Sequence, residues 1–368
     1  MNKFSKKIKS IDINFIILPL CLGIFSLLMI SSIAYNGNYV LTKDVIIQSV
    51  AYFLGFICLF LIISFDYHRL ENFTLILYFG SLFFLLTVYI PGLGISVNGA
   101  HSWINLGITT FQPSEIVKIT FILIMASYLS KNKGKLNTLK GILSAALYAA
   151  PFILVIVKED LGSGLVFCAI WVFMIFYAGI DYKLFGKFVL VFVLFLPIAY
   201  GLMAPYQKRR IDAFLRPEDL TLPGNYQVWN SKVAIGSGGF AGKGLFQGTQ
   251  KQLDFLPVQK SDFIFSVVVE ELGMIGGALL ILLFAWLLYR LTRAVYYSQD
   301  LYGGLIIVGF IGMFLFQIFE NIAMTMGIMP VTGLTLPFIS YGGSSVLSNM
   351  IALGLVASVS LSPGERCC

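Results

Sequence analysis

Charge is scarce in this sequence: Asp, Glu, Lys and Arg make up 12% of its 368 residues, too few to coat a soluble domain of that length. Histidine is scarcer. His68 and His101 stand far apart, so the chain offers no metal-ligand spacing built on imidazole. There is no Walker loop, no Ser-His-Asp order and no Asp-X-Asp pair, which argues against an ATP-driven pump and against a metal-dependent nucleotide-sugar enzyme. The five cysteines form no disulfide framework: Cys21, Cys58 and Cys168 lie in apolar runs, and Cys367 and Cys368 end the chain, as an inert tail or a lipidated pair. No internal repeat appears, and so none of the two-fold signature of many transporters. The formal charge of +7 comes from basic residues scattered among short connectors, not gathered into an aromatic-laced nucleic-acid patch.

What is abundant is apolar: 58% of residues are hydrophobic and the mean hydropathy is +0.87. The chain therefore reads as a single all-α polytopic membrane domain, 1–368, because backbone polar groups within a ~30 Å hydrocarbon core must be satisfied inside the element. Apolar runs predict ten spans, at about 13–35, 45–65, 72–90, 113–130, 140–157, 162–180, 184–204, 264–289, 301–328 and 336–361. The first follows Lys3, Lys6, Lys7 and Lys9 but is too long for a signal peptide and has no small-residue cleavage site. Placing the N-terminus in the cytoplasm puts Lys131, Lys133, Lys135, Lys140, Lys183, Lys187, Arg290, Arg293 and Arg366 there too. Only Lys43 and Lys158 fall in the short outer connectors, so both termini are expected inside.

Two outer segments exceed what a connector needs: 91–112, which carries His101 and Trp103, and 205–263, a large extracytoplasmic loop between spans seven and eight. The second holds six glycines in the thirteen residues from Gly236 to Gly248. Such a stretch suits a loop that wraps a phosphate with its N–H groups, and equally a turn-rich linker. Asp262 stands where this polar segment meets the eighth apolar run. It reads either as the N-cap of that helix or as a general base at a wet boundary.

Charged groups inside spans cost about 2.5–3.5 kcal/mol each at mid-membrane, so they mark pairing or function. Glu115 and Lys118, three apart in the fourth span, form a structural ion pair or line a water-filled cavity in which Lys118 faces an anionic substrate. Asp160 stands beside a glycine pair, either capping the sixth span or joining the cavity. Glu270 and Glu271 are consecutive, so at least one must point into the bundle. Between spans nine and ten, GIMPVTGLTLPFISYGGSSVLSN breaks the helix at membrane depth, which is tolerated where protein or a polar cavity covers the backbone.

Five stretches together resemble one family, the shape, elongation, division and sporulation (SEDS) proteins of bacteria, the RodA and FtsW group. They are FQPSEIVKI at 111–119, EDLGSGLV at 159–166, NYQVWNSKVAIGSGGFAGKGLFQGTQ at 225–250, FLPVQKSDFIFSVVVEELG at 255–273 and NIAMTMGIMPVTGLTLPFISYGGSS at 321–345. The GKGLFQGTQ wording is more like the elongation branch, RodA, and GLTLPF is closer to the division and sporulation branch. Val258, Lys260 and Ala323 depart from the family's usual glutamate, histidine and glycine, and Lys43 only approximates its basic residue at the second span.

The resemblance implies a SEDS-type fold and a peptidoglycan glycosyltransferase that polymerises lipid II at the outer face of the cytoplasmic membrane. Its partners would be lipid II, the growing glycan strand and a class B penicillin-binding protein, with no nucleic acid. Carried onto this chain, it makes Asp262 the essential aspartate, with Glu115, Lys118 and Asp160 as supporting cavity residues. The base would take the proton of an acceptor 4-hydroxyl that attacks the anomeric carbon of a lipid-diphosphate donor, with inversion. Positive charge for the diphosphate would come from Lys118, Arg209 and Arg210, with or without a divalent cation, Mg or Mn. Further substrate contacts are expected at Gln227, Lys232, Lys243, Gln247, Ser340, Gly342, Gly343 and Ser344. A lipid II flippase and a scaffold that only recruits the penicillin-binding protein are the alternatives.

Overall fold

The computed structural model describes residues 12–35, 42–97, 100–105, 107, 110–252, 255–256 and 258–361. Cys367 and Cys368 lie outside the described residues. Each of the ten apolar runs forms a helix: α1 (Asn14–Ile33), α2 (Lys43–Ser64), α3 (Thr74–Leu86), α4 (Pro113–Asn132), α5 (Leu139–Glu159), α6 (Leu161–Ala178), α7 (Tyr182–Leu202), α10 (Ile264–Tyr296), α11 (Leu301–Thr325) and α12 (Gly343–Leu361). Eight of these are long and apolar enough to cross a membrane. Of the other two, α3 is shorter, continuing as a 3₁₀ turn through Tyr89, and α7 has 21 residues. The chain is a multi-pass membrane protein.

Three stretches differ from expectation. The 205–263 segment is largely helical: α8 (Pro205–Leu215), with proline at its start, is followed by α9 (Asn225–Gly238) and one turn at Thr249–Gln252. The 91–112 segment contains a three-stranded antiparallel sheet in the order β1-β2-β3, comprising β1 (Gly94–Val97), β2 (Ala100–Asn105) and β3 (Thr110–Phe111). In its register Ile95 faces Trp103 and Ile104 faces Phe111. The last span starts at Gly343 rather than 336, because Pro337 and the positive-φ Phe338 keep the preceding residues out of a helix.

Small residues let the central helices approach closely, as membrane packing requires. A Cβ on Gly354 would meet the Leu59 carbonyl of α2 at 3.1 Å, and one on Gly304 would meet the Tyr177 hydroxyl of α6 at 2.3 Å. The broken segment before α12 finds its hydrogen bonds on α1 and α2. Ser26 donates to the Ile339 carbonyl at 2.7 Å, Gln48 donates to the Ser340 carbonyl at 3.1 Å, and Tyr52 donates to the Phe338 carbonyl. Irregular backbone at this depth is thus covered by protein.

The glycine-rich stretch plugs a break in α10. Gly273 has φ 68° and ψ −167°, a conformation open in practice to glycine alone. The break leaves the Glu270 and Glu271 carbonyls to accept from the N–H groups of Lys243 and Gly244, both at 3.0 Å, and lets Met274 N–H donate to the Gly239 carbonyl at 3.0 Å. A Cβ on Gly242 would lie 2.1 Å from the Glu271 carbonyl oxygen, so the two backbones meet only because a side chain is missing. Both glutamates are buried. Glu270 pairs with Lys243 at 2.7 Å, and Glu271 accepts from Ser32 of α1 at 2.6 and 2.8 Å.

Candidate active site

The starts of α2, α4, α6, α10 and α12 converge on one cavity of about 470 Å³, as alternation of the spans places them at the same end of the bundle. Its wall includes Lys43 and Asp44 from α2, Glu115 from α4, Asp160 just before α6 and Ser163 within it, and Gly342 just before α12 with Gly343 to Ser345 at its start. Arg210 of α8, Trp103 of β2 and the extended residues Thr332 to Thr335 complete much of the rest. Five helices begin at or beside this space, and helix N-termini carry partial positive charge, an environment suited to an anionic ligand.

Asp262 lies on the cavity wall, immediately before α10, and does not cap it. The N-cap is Phe263, and no side chain accepts a capping hydrogen bond there. The turn that carries Asp262 is held through three successive carbonyls. Lys260 O accepts from Tyr341 N–H at 2.9 Å, Ser261 O accepts from the Ser340 hydroxyl, and Asp262 O accepts from Asn321 Nδ2 at 3.0 Å. Asn321 also donates to Leu334 O at 2.7 Å, so one carboxamide ties the aspartate to the facing wall. Lys260 pairs with Asp44, linking the same turn to the start of α2.

Burial pushes the Asp262 carboxyl up to about 6, and Asp160 adds to the rise; Ser261 and the Arg210 guanidinium oppose it. A carboxylate with that affinity is mostly ionised at neutral pH yet basic enough to accept a proton. Arg210 is held by a 2.7 Å hydrogen bond from Nη1 to Thr332 O. Gly333, whose φ of 79° favours glycine, stands beside both groups: a Cβ there would lie at ordinary contact distance, 3.6 Å from Asp262 Oδ2 and 3.9 Å from Arg210 Nη1. Beneath them the Thr332 hydroxyl donates to Glu320, which is fully buried in α11.

Asp160 does both things foreseen for it. Its Oδ1 caps α6 by accepting from Gly162 N–H at 3.0 Å, its Oδ2 accepts from Ser163 at 2.7 Å, and the residue lines the cavity. The glycine that follows has a separate reason: a Cβ on Gly162 would meet Thr332 Cβ at 2.9 Å. Glu115 also reaches the wall, but Lys118 lies behind it at 1% exposure, donating to Oε1 at 2.7 Å while Ser348 donates to Oε2 at 3.0 Å. Lys118 is therefore placed to charge-balance Glu115 rather than to face a ligand.

The remaining expected contacts divide. Arg210, Gly342, Gly343 and Ser344 are on the wall. Ser340 is not, because its hydroxyl is committed to Ser261 O and accepts from Leu336 N–H. Lys243 is turned to Glu270, and Gln247 is exposed beside Gly244. Arg209 and Gln227 lie away from the wall on α8 and α9, and Lys232 lies over Gly327 beside a smaller cleft. Of these six, Arg209, Gln227 and Lys232 are carried off the wall by α8 and α9. Among the described residues no group of three or more His, Cys, Asp or Glu side chains is arranged to hold a metal ion.

Sequence reading passed over Asn321 and Glu320. The cost of a carboxyl group in an apolar run is the signal that marks Glu320. Asp44 was likewise hidden, as an ordinary first-turn acid of α2.

Comparison with known proteins identifies the family. Residues 12–363 match the FtsW/RodA/SpoVE cell cycle protein family. The chain is 38% identical over 311 residues to stage V sporulation protein E of Bacillus subtilis, covering 83% of this chain and 84% of that one. It is 37% identical over 276 residues to peptidoglycan glycosyltransferase MrdB of Escherichia coli, covering 75% of each. A chain in a solved peptidoglycan synthase complex, described as coordinating polymerisation and crosslinking, superposes with a TM-score of 0.81 at 30% identity, over 95% of this chain and 98% of that one. With its cavity built from the segments that carry the sequence resemblance, the chain belongs to the FtsW/RodA/SpoVE, or SEDS, family of membrane proteins.

Proposed function

We propose that this protein is a peptidoglycan glycosyltransferase that polymerises lipid II, with Asp262 as its general base. The observation that carries the reading is the placement of Asp262: a carboxylate not used as a helix cap, basic through burial, in a cavity onto which five helix N-termini converge. MrdB, similar over three quarters of both chains, bears that activity in its name.

In the proposed reaction the acceptor 4-hydroxyl oxygen forms the bond to the donor's anomeric carbon while its proton passes to the Asp262 carboxylate. The bond from that carbon to the diphosphate oxygen breaks, and undecaprenyl diphosphate leaves. Attack opposite the leaving group turns the α-linked donor into a β-linkage. Arg210, Lys43 and the N–H groups at the start of α12 supply positive charge where the diphosphate departs. The cavity then faces the outer side of the cytoplasmic membrane, with both termini inside, as the lysine and arginine distribution favours.

A class B penicillin-binding protein is the partner that fits, since the superposed chain comes from an assembly that couples polymerisation to crosslinking. Elongation and cell shape are the process favoured by the GKGLFQGTQ wording, and complementation of elongation and division mutants tests that branch. A flippase needs essential polar groups on both sides of a gate, whereas the cavity's ionisable groups come mainly from helix starts at one end. The deciding experiment is polymerisation of purified lipid II by the detergent-solubilised protein with its penicillin-binding partner. Glycan strands from wild type and none from folded Asp262→Ala support the proposal; strands from neither favour transport or scaffolding.

A further inference from the structure

Glu320 is a carboxylic side chain with 0% exposure inside the membrane-spanning helix α11, and it does not reach the cavity wall. A leucine there would avoid the cost of burying a carboxyl group in an apolar span. Its Oε1 accepts from the Thr332 hydroxyl, while its buried Oε2 has no hydrogen-bond partner among the described residues. The arrangement is poor as a stabilising contact, so its use is to be sought in what Thr332 does.

Thr332 is 4% exposed and confined on two sides. On one side Gly162 leaves room for it, since a Cβ there would sit 2.9 Å from both Thr332 Cβ and its carbonyl oxygen; on the other, Glu320 accepts a hydrogen bond from its hydroxyl. The carbonyl so fixed accepts from Arg210 at 2.7 Å, and Arg210 flanks Asp262 across Gly333. Arg210, Asp160 and Asp262 are also the charged groups whose fields reach Glu320.

We propose that Glu320 is a positioning residue for the transfer reaction: by holding the Thr332 hydroxyl it orients the Thr332 carbonyl that keeps Arg210 beside Asp262. The inference rests on the reading of Asp262 as base. Among the groups around Asp262, Arg210 comes from α8, Asp160 and Ser163 from the start of α6, Lys43 and Asp44 from α2, Glu115 from α4, and Ser261 and Lys260 from its own turn. Arg210 is the cation that lowers the proton affinity of Asp262. Loosening it therefore raises that affinity and moves the acid limb of the pH–rate profile to higher pH.

The test compares Glu320→Ala, Glu320→Gln and Thr332→Val with wild type and Asp262→Ala, in lipid II polymerisation by the full chain with its partner. Thermal melting checks folding. Glu320→Ala and Thr332→Val are expected to lower kcat roughly tenfold, with KM changed less than about twofold and the acid limb moved upward. Glu320→Gln, whose amide oxygen still accepts from Thr332, keeps most of the rate and the wild-type limb. A wild-type rate and limb in Glu320→Ala, or Glu320→Gln impaired as badly as Glu320→Ala, overturns the proposal. Should Glu320→Ala fail to fold, Thr332→Val and Glu320→Gln decide on the same criteria. An inactive wild type or an active Asp262→Ala instead overturns the assignment of Asp262 itself, whatever the Glu320 variants do.

Discussion

Asn321 and Asp262, 59 residues apart, are joined through the carboxamide of one and the main-chain carbonyl of the other at 3.0 Å, and the same nitrogen reaches Leu334 O at 2.7 Å. The base candidate is thus held by its backbone, which leaves its carboxylate available for chemistry. Truncating Asn321 to alanine leaves two carbonyls without their donor in a buried setting, at a cost of about 1–3 kcal/mol for each left unsatisfied. Asn321→Ala should lower both the melting temperature in detergent and the polymerisation rate. Unchanged values for both would show that the bridge contributes nothing.

The raised proton affinity of Asp262 sets a pH dependence. A base must be unprotonated, so kcat/KM for lipid II should be flat at neutral pH and fall as pH drops through about 6, by roughly tenfold per unit below it. A profile flat to pH 4.5 would remove Asp262 from the rate-determining proton transfer.

The same burial predicts a trade between activity and stability. The folded-state value, about 6, lies above the ordinary 3.8, so the ionised carboxylate disfavours the fold at pH above 6 and that penalty disappears below about 4. Asp262→Asn should therefore melt higher than wild type at pH 7.5, by on the order of 1–2 kcal/mol with solvent in the cavity screening the charge. The advantage should shrink as pH falls from 6 to 4. Melting curves of both proteins across that range check the sign, and an Asn variant less stable at pH 7.5 contradicts it.

Lys118 offers a different separation of stability from function. Lys118→Met strands the buried Glu115 carboxylate, which costs about 3–5 kcal/mol when a paired ion is left alone. Adding Glu115→Gln should restore most of the melting temperature without restoring polymerisation, because Glu115 reaches the cavity and Lys118 does not. Full activity in the stable double variant would make this pair purely structural.

Much of the architecture was legible because the membrane makes it so: each of the ten apolar runs forms a helix, and their alternation brings Glu115, Asp160 and Asp262 to one end. Asp262 was ambiguous, since Ser-Asp-Phe before an apolar run is also good capping sequence; only backbone geometry shows the helix starting one residue later, without a cap. The glycines from 236 to 248 misled because glycine marks close backbone approach without saying to what. Here the partner is a break in the chain's own α10 at Gly273, which no local pattern encodes. Lys243 looked like a ligand for an anion because its buried carboxylate partner, Glu270, is known as such only once the helices are packed, whereas the pairing of Lys118 with Glu115 was one of the two readings their spacing left open.

The central claim is that Asp262 acts on the bond-forming step and not on binding. Binding of purified lipid II should be measured for wild type and Asp262→Asn, followed by a single turnover of the bound substrate in the presence of the penicillin-binding partner. The account predicts affinities within a few-fold of each other, new glycosidic bonds from wild type, and none from the Asn variant. Bond formation at the wild-type rate by Asp262→Asn would contradict it.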